Sequence, residues 1–115
     1  MSEIKDLTAK IAKIRDDRDW KQFHNPKDMA VSLALEANEV LEHFQWRNGA
    51  EMDEYVKTHK DEIGEELADV LYWVLAMSSG IDLDIKEALE KKLLKTEKKY
   101  PVEKAKGNHK KYTEL

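Results

Sequence analysis

Four acidic residues stand out because they form two matching pairs along the chain. The first pair is Glu36 and Glu39, and the second is Glu66 and Asp69. In each pair the acids lie three positions apart and the second acid is followed by Val-Leu. Apolar residues occupy the same offsets in both, namely Leu33, Ala37, Val40 and Phe44 around the first pair and Ile63, Leu67, Val70 and Val74 around the second. On an α-helix these offsets form one apolar stripe with the acids on its flank. If two such helices pack through their stripes, the acids converge, namely Glu36, Glu39, Glu66 and Asp69. Clustered carboxylates repel one another unless a cation lies between them, so the pattern predicts a metal site.

An all-oxygen ligand set favours hard cations such as Mg²⁺, Mn²⁺ or Ca²⁺. Mg²⁺ usually bridges carboxylates and substrate phosphates, which indicates metal-assisted phosphate chemistry. A single Glu-x-x-Glu pair is usually a solvated helix face, and it is the matched second pair that favours a metal. A di-iron site would need Glu-x-x-His on two helices. None of the four histidines has an acid three positions before it, which disfavours di-iron, and His43, one turn after Glu39, is interpreted as a polar surface residue.

Aromatic residues lie on both sides of the first acid pair. Trp20, Phe23 and His24 precede the second predicted helix, and Trp46 lies where that helix is predicted to end. Aromatic rings and a histidine near a phosphate-binding metal would suit a nucleobase, which stacks on rings and forms hydrogen bonds at its edge. The alternative is a small aromatic core that packs the first loop, since aromatic residues are common in cores.

Four main helices are predicted to position these residues. Apolar periodicity and end signals place the first three at about residues 3–18, 26–47 and 60–79, with Ser2 as the cap of the first. The fourth should begin at Asp82 or Asp84 and continue to about residue 99. Asn25 should cap the second helix, with Pro26 in its first turn, and Asn48-Gly49 should end it. A short helical turn is expected at residues 51–58, and the lysine-rich segment 102–115 is expected to be irregular.

The composition indicates a single all-α domain over residues 1–115. Charged residues make up 38% of the chain, the net charge is −4, cysteine is absent, and there are only 4 Gly and 2 Pro. These values are typical of a soluble cytoplasmic protein, and we expect no secretory segment and no membrane span. Residues 36–69 carry 11 acids and 3 basic residues, whereas residues 91–111 carry 9 lysines and 2 acids. This asymmetry fits a metal site beside a polyanion site, although solvated helix faces are the alternative.

Several motifs together resemble the MazG-like nucleoside triphosphate pyrophosphohydrolases, and most closely their dCTP pyrophosphatase branch. The matching residues extend over nearly the whole chain and are Asp19-Trp20, Gln22-Phe23-His24, Pro26, Glu36-x-x-Glu39, Phe44-Gln45-Trp46, Glu65-Glu66-Leu67-x-Asp69-Val70-Leu71, Lys92, Tyr100-Pro101 and Lys111-Tyr112-Thr113-Glu114-Leu115. The resemblance implies an all-α MazG-like helical bundle with four main helices per subunit, assembled as a dimer or a dimer of dimers.

The resemblance also implies roles for individual residues. The four acids would be both the catalytic residues and the ligands of Mg²⁺, with Mn²⁺ as a substitute. Trp20, His24 and Trp46 would line the base and sugar pocket, and Lys92 and Tyr100 would reach the phosphates. The tail with Lys111 and Tyr112 would close over the nucleotide, of the same or of a neighbouring subunit. Trp73 and Thr96 are also implied to bind substrate. Three positions depart from the family pattern: Leu35 replaces an acid, Thr96 replaces an Asn, and Trp73 replaces a Tyr.

The hypothesis is therefore a Mg²⁺-dependent enzyme that hydrolyses dCTP or a modified dCTP to the monophosphate and pyrophosphate, in nucleotide-pool sanitation. The first alternative is the same chemistry on dUTP or on a damaged nucleotide. The second is a non-enzymatic helical binding module with a basic tail. The net charge of −4 argues against extended binding of nucleic acid.

Overall fold

The computed structural model describes residues 2–115, and in this range the chain forms six α-helices and no β-strand. The helices are α1 (Glu3–Asp17), α2 (Pro26–Glu42), α3 (Gly49–Thr58), α4 (Lys60–Gly80), α5 (Ile85–Lys99) and α6 (Val102–Ala105). Two 3₁₀ turns, at Lys21–Phe23 and Tyr112–Glu114, complete the regular structure. The predicted all-α class is confirmed. Between residues 2 and 115 no helix has the length and apolar character needed to cross a membrane.

The chain divides into two compact units, one ending at Leu83 and the other running from Asp84 to Leu115. In the first unit α4 is the central helix, and α1, α2 and α3 pack on it. Its buried core contains Met29 of α2 and Leu75 and Ala76 of α4. The Met29 Cε atom would lie only 2.8 Å from a Cβ placed on Gly80, so the start of α2 lies beside the end of α4. The two helices are therefore antiparallel.

Three helices begin at residues whose side chains accept a hydrogen bond from the first turn. These are Ser2 with Lys5 N at 3.2 Å, Asn25 with Asp28 N at 2.9 Å, and Asp84 with Glu87 N at 3.1 Å. Such caps satisfy backbone N–H groups that have no partner inside the helix. Because a cap depends on neighbouring residues alone, the predicted helix starts agree closely with the structure.

The predicted end of the second helix is wrong by five residues, since α2 ends at Glu42 and not at Arg47. The N–H groups of His43 and Phe44 bond to carbonyls three residues back, and Arg47 Nη1 donates to the His43 carbonyl at 2.6 Å. These bonds tighten the chain into a turn that leads to α3. Gly49, at φ +54°, begins α3, so the short helical turn expected nearby is a ten-residue helix.

The second unit consists of α5, α6 and the last 3₁₀ turn. The segment expected to be irregular thus contains one helical turn at Val102–Ala105 and a second turn at Tyr112–Glu114. The rings of Tyr100 and Tyr112 meet edge to face with centroids 6.1 Å apart, and Lys99 Nζ lies 4.6 Å from the Tyr112 ring. These aromatic contacts attach the C-terminal turn to the end of α5.

Candidate metal centre

Antiparallel packing of α2 on α4 brings the two acid pairs together. Glu36 and Glu39 lie one turn apart on α2, and Glu66 and Asp69 lie one turn apart on α4. Each of the four side chains offers a carboxylate oxygen, and these oxygens all lie within 4.8 Å of one another. The convergence predicted from the matched stripes is therefore present in the structure.

The carboxylate cluster contains negative charge that the protein itself does not neutralise. None of the four acids forms an ion pair with Lys or Arg in the part of the chain that the structure describes. The Oε2 atoms of Glu36 and Glu66 are buried and have no hydrogen-bond partner there. A buried polar atom without a partner is costly, so these two oxygens are suited to bind a cation.

The same crowding changes the acidity of the cluster. The pKa of Glu36 is raised, mainly by burial and secondly by the nearby Glu39. The pKa of Glu66 is raised to about 7. The largest cause is a hydrogen bond shared with Glu39, and smaller ones are burial and the charges of Asp69 and Glu36. Without a cation the cluster therefore holds a proton close to neutral pH, because a proton between two carboxylates relieves their repulsion.

The residues present fit a hard divalent cation. All the donors are oxygens, two of those oxygens lack a partner, and the four carboxylates lie on two rigid helices. Mg²⁺, Mn²⁺ and Ca²⁺ prefer such ligands, whereas helical di-iron sites use histidine as well. The acid group at this position contains no histidine, in agreement with the sequence argument. These four carboxylates are thus able to hold a metal ion.

The predicted base-pocket residues are only partly brought together. His24 lies edge to face against Trp73, with ring centroids 5.4 Å apart, and Trp73 lies one turn after Asp69 on α4. Trp20 is 41% exposed and Trp46 is 83% exposed. This exposure does not support an aromatic core around the first loop, because core rings are buried. Of the four predicted aromatic residues, the structure brings His24 into contact with Trp73.

A small pocket between α1 and α4 contains two further polar residues that the sequence analysis missed. Arg15 and Tyr72 line it together with His24, and it leaves about 10 Å³ of free volume, room for one water. Arg15 Nε donates to Asp16 at 2.8 Å, and this hydrogen bond raises the pKa of the Arg15 guanidinium. The sequence contained one indication of this pocket: Arg15 is a charged residue that follows Ile14 and lies one helical turn after Ile11, beside the apolar stripe of the first helix.

The remaining predicted substrate-binding residues lie in the second unit, namely Lys92, Thr96, Tyr100, Lys111 and Tyr112. On α5, Thr96 Oγ1 donates to the Lys92 carbonyl at 3.0 Å, as is usual for a helical threonine facing solvent. Tyr100 and Tyr112 are in contact, as described above. The role of these five residues in substrate binding stays a prediction.

Comparison with known proteins agrees with this geometry. Residues 31–115 match the sequence profile described as the MazG-like family. The chain is 32% identical over 114 residues to dCTP pyrophosphatase 1 of Rattus norvegicus, covering 97% of this chain and 67% of that protein. It is 31% identical to dCTP pyrophosphatase 1 of Homo sapiens, with the same coverage.

A solved structure shares the fold as well. The crystal structure of a pyrophosphatase from Archaeoglobus fulgidus superimposes with a TM-score of 0.82 at 35% identity, covering 88% of this chain and 94% of that one. The profile match takes in all four acids of the cluster. The all-helical fold, the converging carboxylates and these similarities lead to one assignment: the chain belongs to the MazG-like family.

Proposed function

We propose that this nucleotide pyrophosphohydrolase hydrolyses dCTP or a modified dCTP to the monophosphate and pyrophosphate in the presence of Mg²⁺. The observation that carries the proposal is the cluster of four carboxylates with oxygens within 4.8 Å of one another. The substrate follows from the relatives named dCTP pyrophosphatase 1, which align with 97% of the chain. The cation follows from the oxygen ligands and from the use of Mg²⁺ with phosphates in other proteins.

Each acid has a proposed part in the reaction. Glu36 and Glu66 hold the cation through their buried, unpartnered oxygens, and Glu39 and Asp69, which are exposed, face the substrate. When bound, Mg²⁺ supplies neutralisation of phosphate charge and lowers the pKa of nearby water. Glu39 orients the water that attacks the α-phosphorus and accepts its proton. The bond from that phosphorus to the bridging oxygen breaks, so that pyrophosphate leaves with the bonding electrons.

The nucleotide has two proposed contact regions. His24 and Trp73 form the base and sugar pocket with Trp20 and Trp46, because aromatic faces stack on any base and a histidine can bond to its edge. The proposed phosphate contacts are Lys92 and Tyr100, with Thr96 one turn after Lys92, and the tail residues Lys111 and Tyr112 close over a nucleotide of the same or of a neighbouring subunit. Lysine is a suitable point charge for phosphate, and tyrosine adds a hydroxyl donor. The biological role is nucleotide-pool sanitation in the cytoplasm.

A second copy of the chain is the proposed partner. Several large apolar side chains on α2 and α4 are about half exposed, namely Val31, Leu35, Leu67 and Leu71. Apolar surface in such a row is stabilised when another subunit covers it. We propose a homodimer built from these helix pairs, or a tetramer of two such dimers, with residues 1–115 as one domain of each subunit.

Pyrophosphate release tests the function directly. Wild type with Mg²⁺ is offered the four dNTPs, the NTPs, dUTP and 5-substituted dCTPs, and release should be fastest for dCTP-type substrates. Glu66→Gln should reduce release by at least about 100-fold, because a ligand of the cation is lost. Glu39→Gln should do the same if Glu39 orients the water. Glu62→Gln, an exposed acid one turn earlier on α4, is the matched control and should keep full activity.

The alternatives give different results in this assay. Fastest release from dUTP or from a damaged nucleotide would keep the reaction and change the substrate. No release from any nucleotide, together with salt-dependent binding of DNA or RNA, would favour the binding module.

A further inference from the structure

The side chain of Tyr55 lies at the centre of a stack that none of the proposed reaction steps uses. The Arg47 Cζ atom lies 3.7 Å from the centre of the Tyr55 ring, and the His59 ring stacks on it with centroids 4.0 Å apart and planes 13° apart. Two groups at these distances cannot occupy the same face, so Tyr55 lies between them. Its hydroxyl is 2.6 Å from His43 Nδ1, and this half-buried histidine is therefore not a simple surface residue.

The Tyr55 stack joins three segments of the first unit. Arg47 and His43 belong to the turn that follows α2, Tyr55 belongs to α3, and His59 is the residue between α3 and α4. Arg47 also donates to the His43 carbonyl at 2.6 Å, which ties the stack to the end of α2. No residue of α3 is fully buried, so α3 is held by half-buried side chains, among them Tyr55.

The stack lies at the same end of the α2–α4 pair as the carboxylates. His43 follows Glu39 by one helical turn, and His59 precedes Glu66 by two turns, roughly 10 Å along the axis. The opposite end of the pair is held by the packing of Met29 near Gly80. The spacing between the acid pairs, which their mutual repulsion would widen, is thus constrained from one side by the Tyr55 stack.

We propose that Tyr55 is a positioning residue for the carboxylate cluster. Its stack with Arg47 and His59 fixes the ends of α2 and α4, so that the four carboxylates are held at cation-binding distance before the cation arrives. Ligands that are already in place bind a metal more tightly, because less ordering remains to be done on binding. The inference rests on the proposed function only in requiring that the cluster bind a divalent cation.

The test measures the affinity of the protein for Mn²⁺ without nucleotide. The electron paramagnetic resonance signal reports the concentration of free Mn²⁺, and the temperature is one at which every variant is folded. Tyr55→Leu, which removes the ring and the hydroxyl, should weaken Mn²⁺ binding by about 3- to 30-fold. Tyr55→Phe keeps the stacked ring and should recover most of that loss. His59→Leu removes one face of the stack and should give an intermediate value.

Met29→Ala is the matched control, because it loosens the buried opposite end of the same helix pair. It should lower the unfolding midpoint but leave Mn²⁺ affinity within about twofold, since the folded molecules keep their cluster spacing. Wild-type affinity in Tyr55→Leu would overturn the inference. The inference would also be overturned if Met29→Ala weakened Mn²⁺ binding as much as Tyr55→Leu does at the same loss of stability. The weakening would then follow from lower stability in general and not from the Tyr55 stack.

The same measurements separate this inference from the proposed reaction. A wild type that binds Mn²⁺ but releases no pyrophosphate refutes the proposed reaction, and the comparison of the Tyr55 variants still decides the positioning role. A wild type that binds no Mn²⁺ overturns both.

Discussion

Cation binding to this cluster should release a proton, and the number released should depend strongly on pH. In the metal-free protein a hydrogen bond shared with Glu39 raises the pKa of Glu66 to about 7. A carboxyl group with that pKa is about nine-tenths protonated one unit below it and about one-tenth protonated one unit above it. Metal ligands must be deprotonated. Binding at about pH 6 should therefore release about 0.9 proton from Glu66, against about 0.1 at about pH 8.

Isothermal titration calorimetry measures this number. Mn²⁺ is titrated into metal-free protein in two buffers of different ionisation enthalpy at each pH, and the difference in observed heat gives the protons released. Burial also raises the pKa of Glu36, so a contribution from Glu36 has the same sign. Glu66→Gln removes the Glu66 contribution, and Glu62→Gln should behave as wild type. Release below about 0.2 proton at the lower pH, or equal release at both, would refute the assignment of a shared proton to this cluster.

The same raised pKa makes a prediction about stability without metal. In the unfolded chain Glu66 titrates near 4.5, so between pH 4.5 and about 7 the folded protein binds more protons than the unfolded one. The stabilisation is complete below the lower pKa and is lost as the pH rises to about 7. Urea unfolding in a chelator should show this decline in wild type and a smaller one in Glu66→Gln. An equal decline in the two proteins would assign the effect to other groups.

Three further predictions concern the scaffold. Asn25→Ala should lower the free energy of unfolding by about 1 kcal/mol in urea titrations, because Asp28 N loses its cap at 2.9 Å, and Asn25→Ser should restore most of it. Met29→Ala should cost about 2–5 kcal/mol in the same assay, since the side chain is only 2% exposed, and a loss below about 1 kcal/mol would contradict its place in the core. Leu35→Lys with Leu71→Lys should convert the proposed dimer to monomers in light-scattering measurements, and an unchanged mass would show that these residues are not at the subunit contact.

The amino-acid sequence by itself determined the features that depend on neighbouring residues. Helix starts at Ser2, Asn25 and Asp84 follow from side chains that bond to the next turn. The two acid pairs and their common flank follow from helical spacing alone. The family resemblance rests on the same local motifs. These features were predictable because each requires interactions over only one or two helical turns.

Tertiary structure alone decided the features that join distant residues. The four carboxylate oxygens approach within 4.8 Å only because α2 packs antiparallel to α4, and the raised pKa of Glu66 follows from that approach. The Tyr55 stack includes a hydrogen bond between His43 and Tyr55, which are 12 positions apart, and no local pattern indicates this contact. Burial, electrostatic repulsion and ring stacking act through space, so their effects appear only when the helices are assembled.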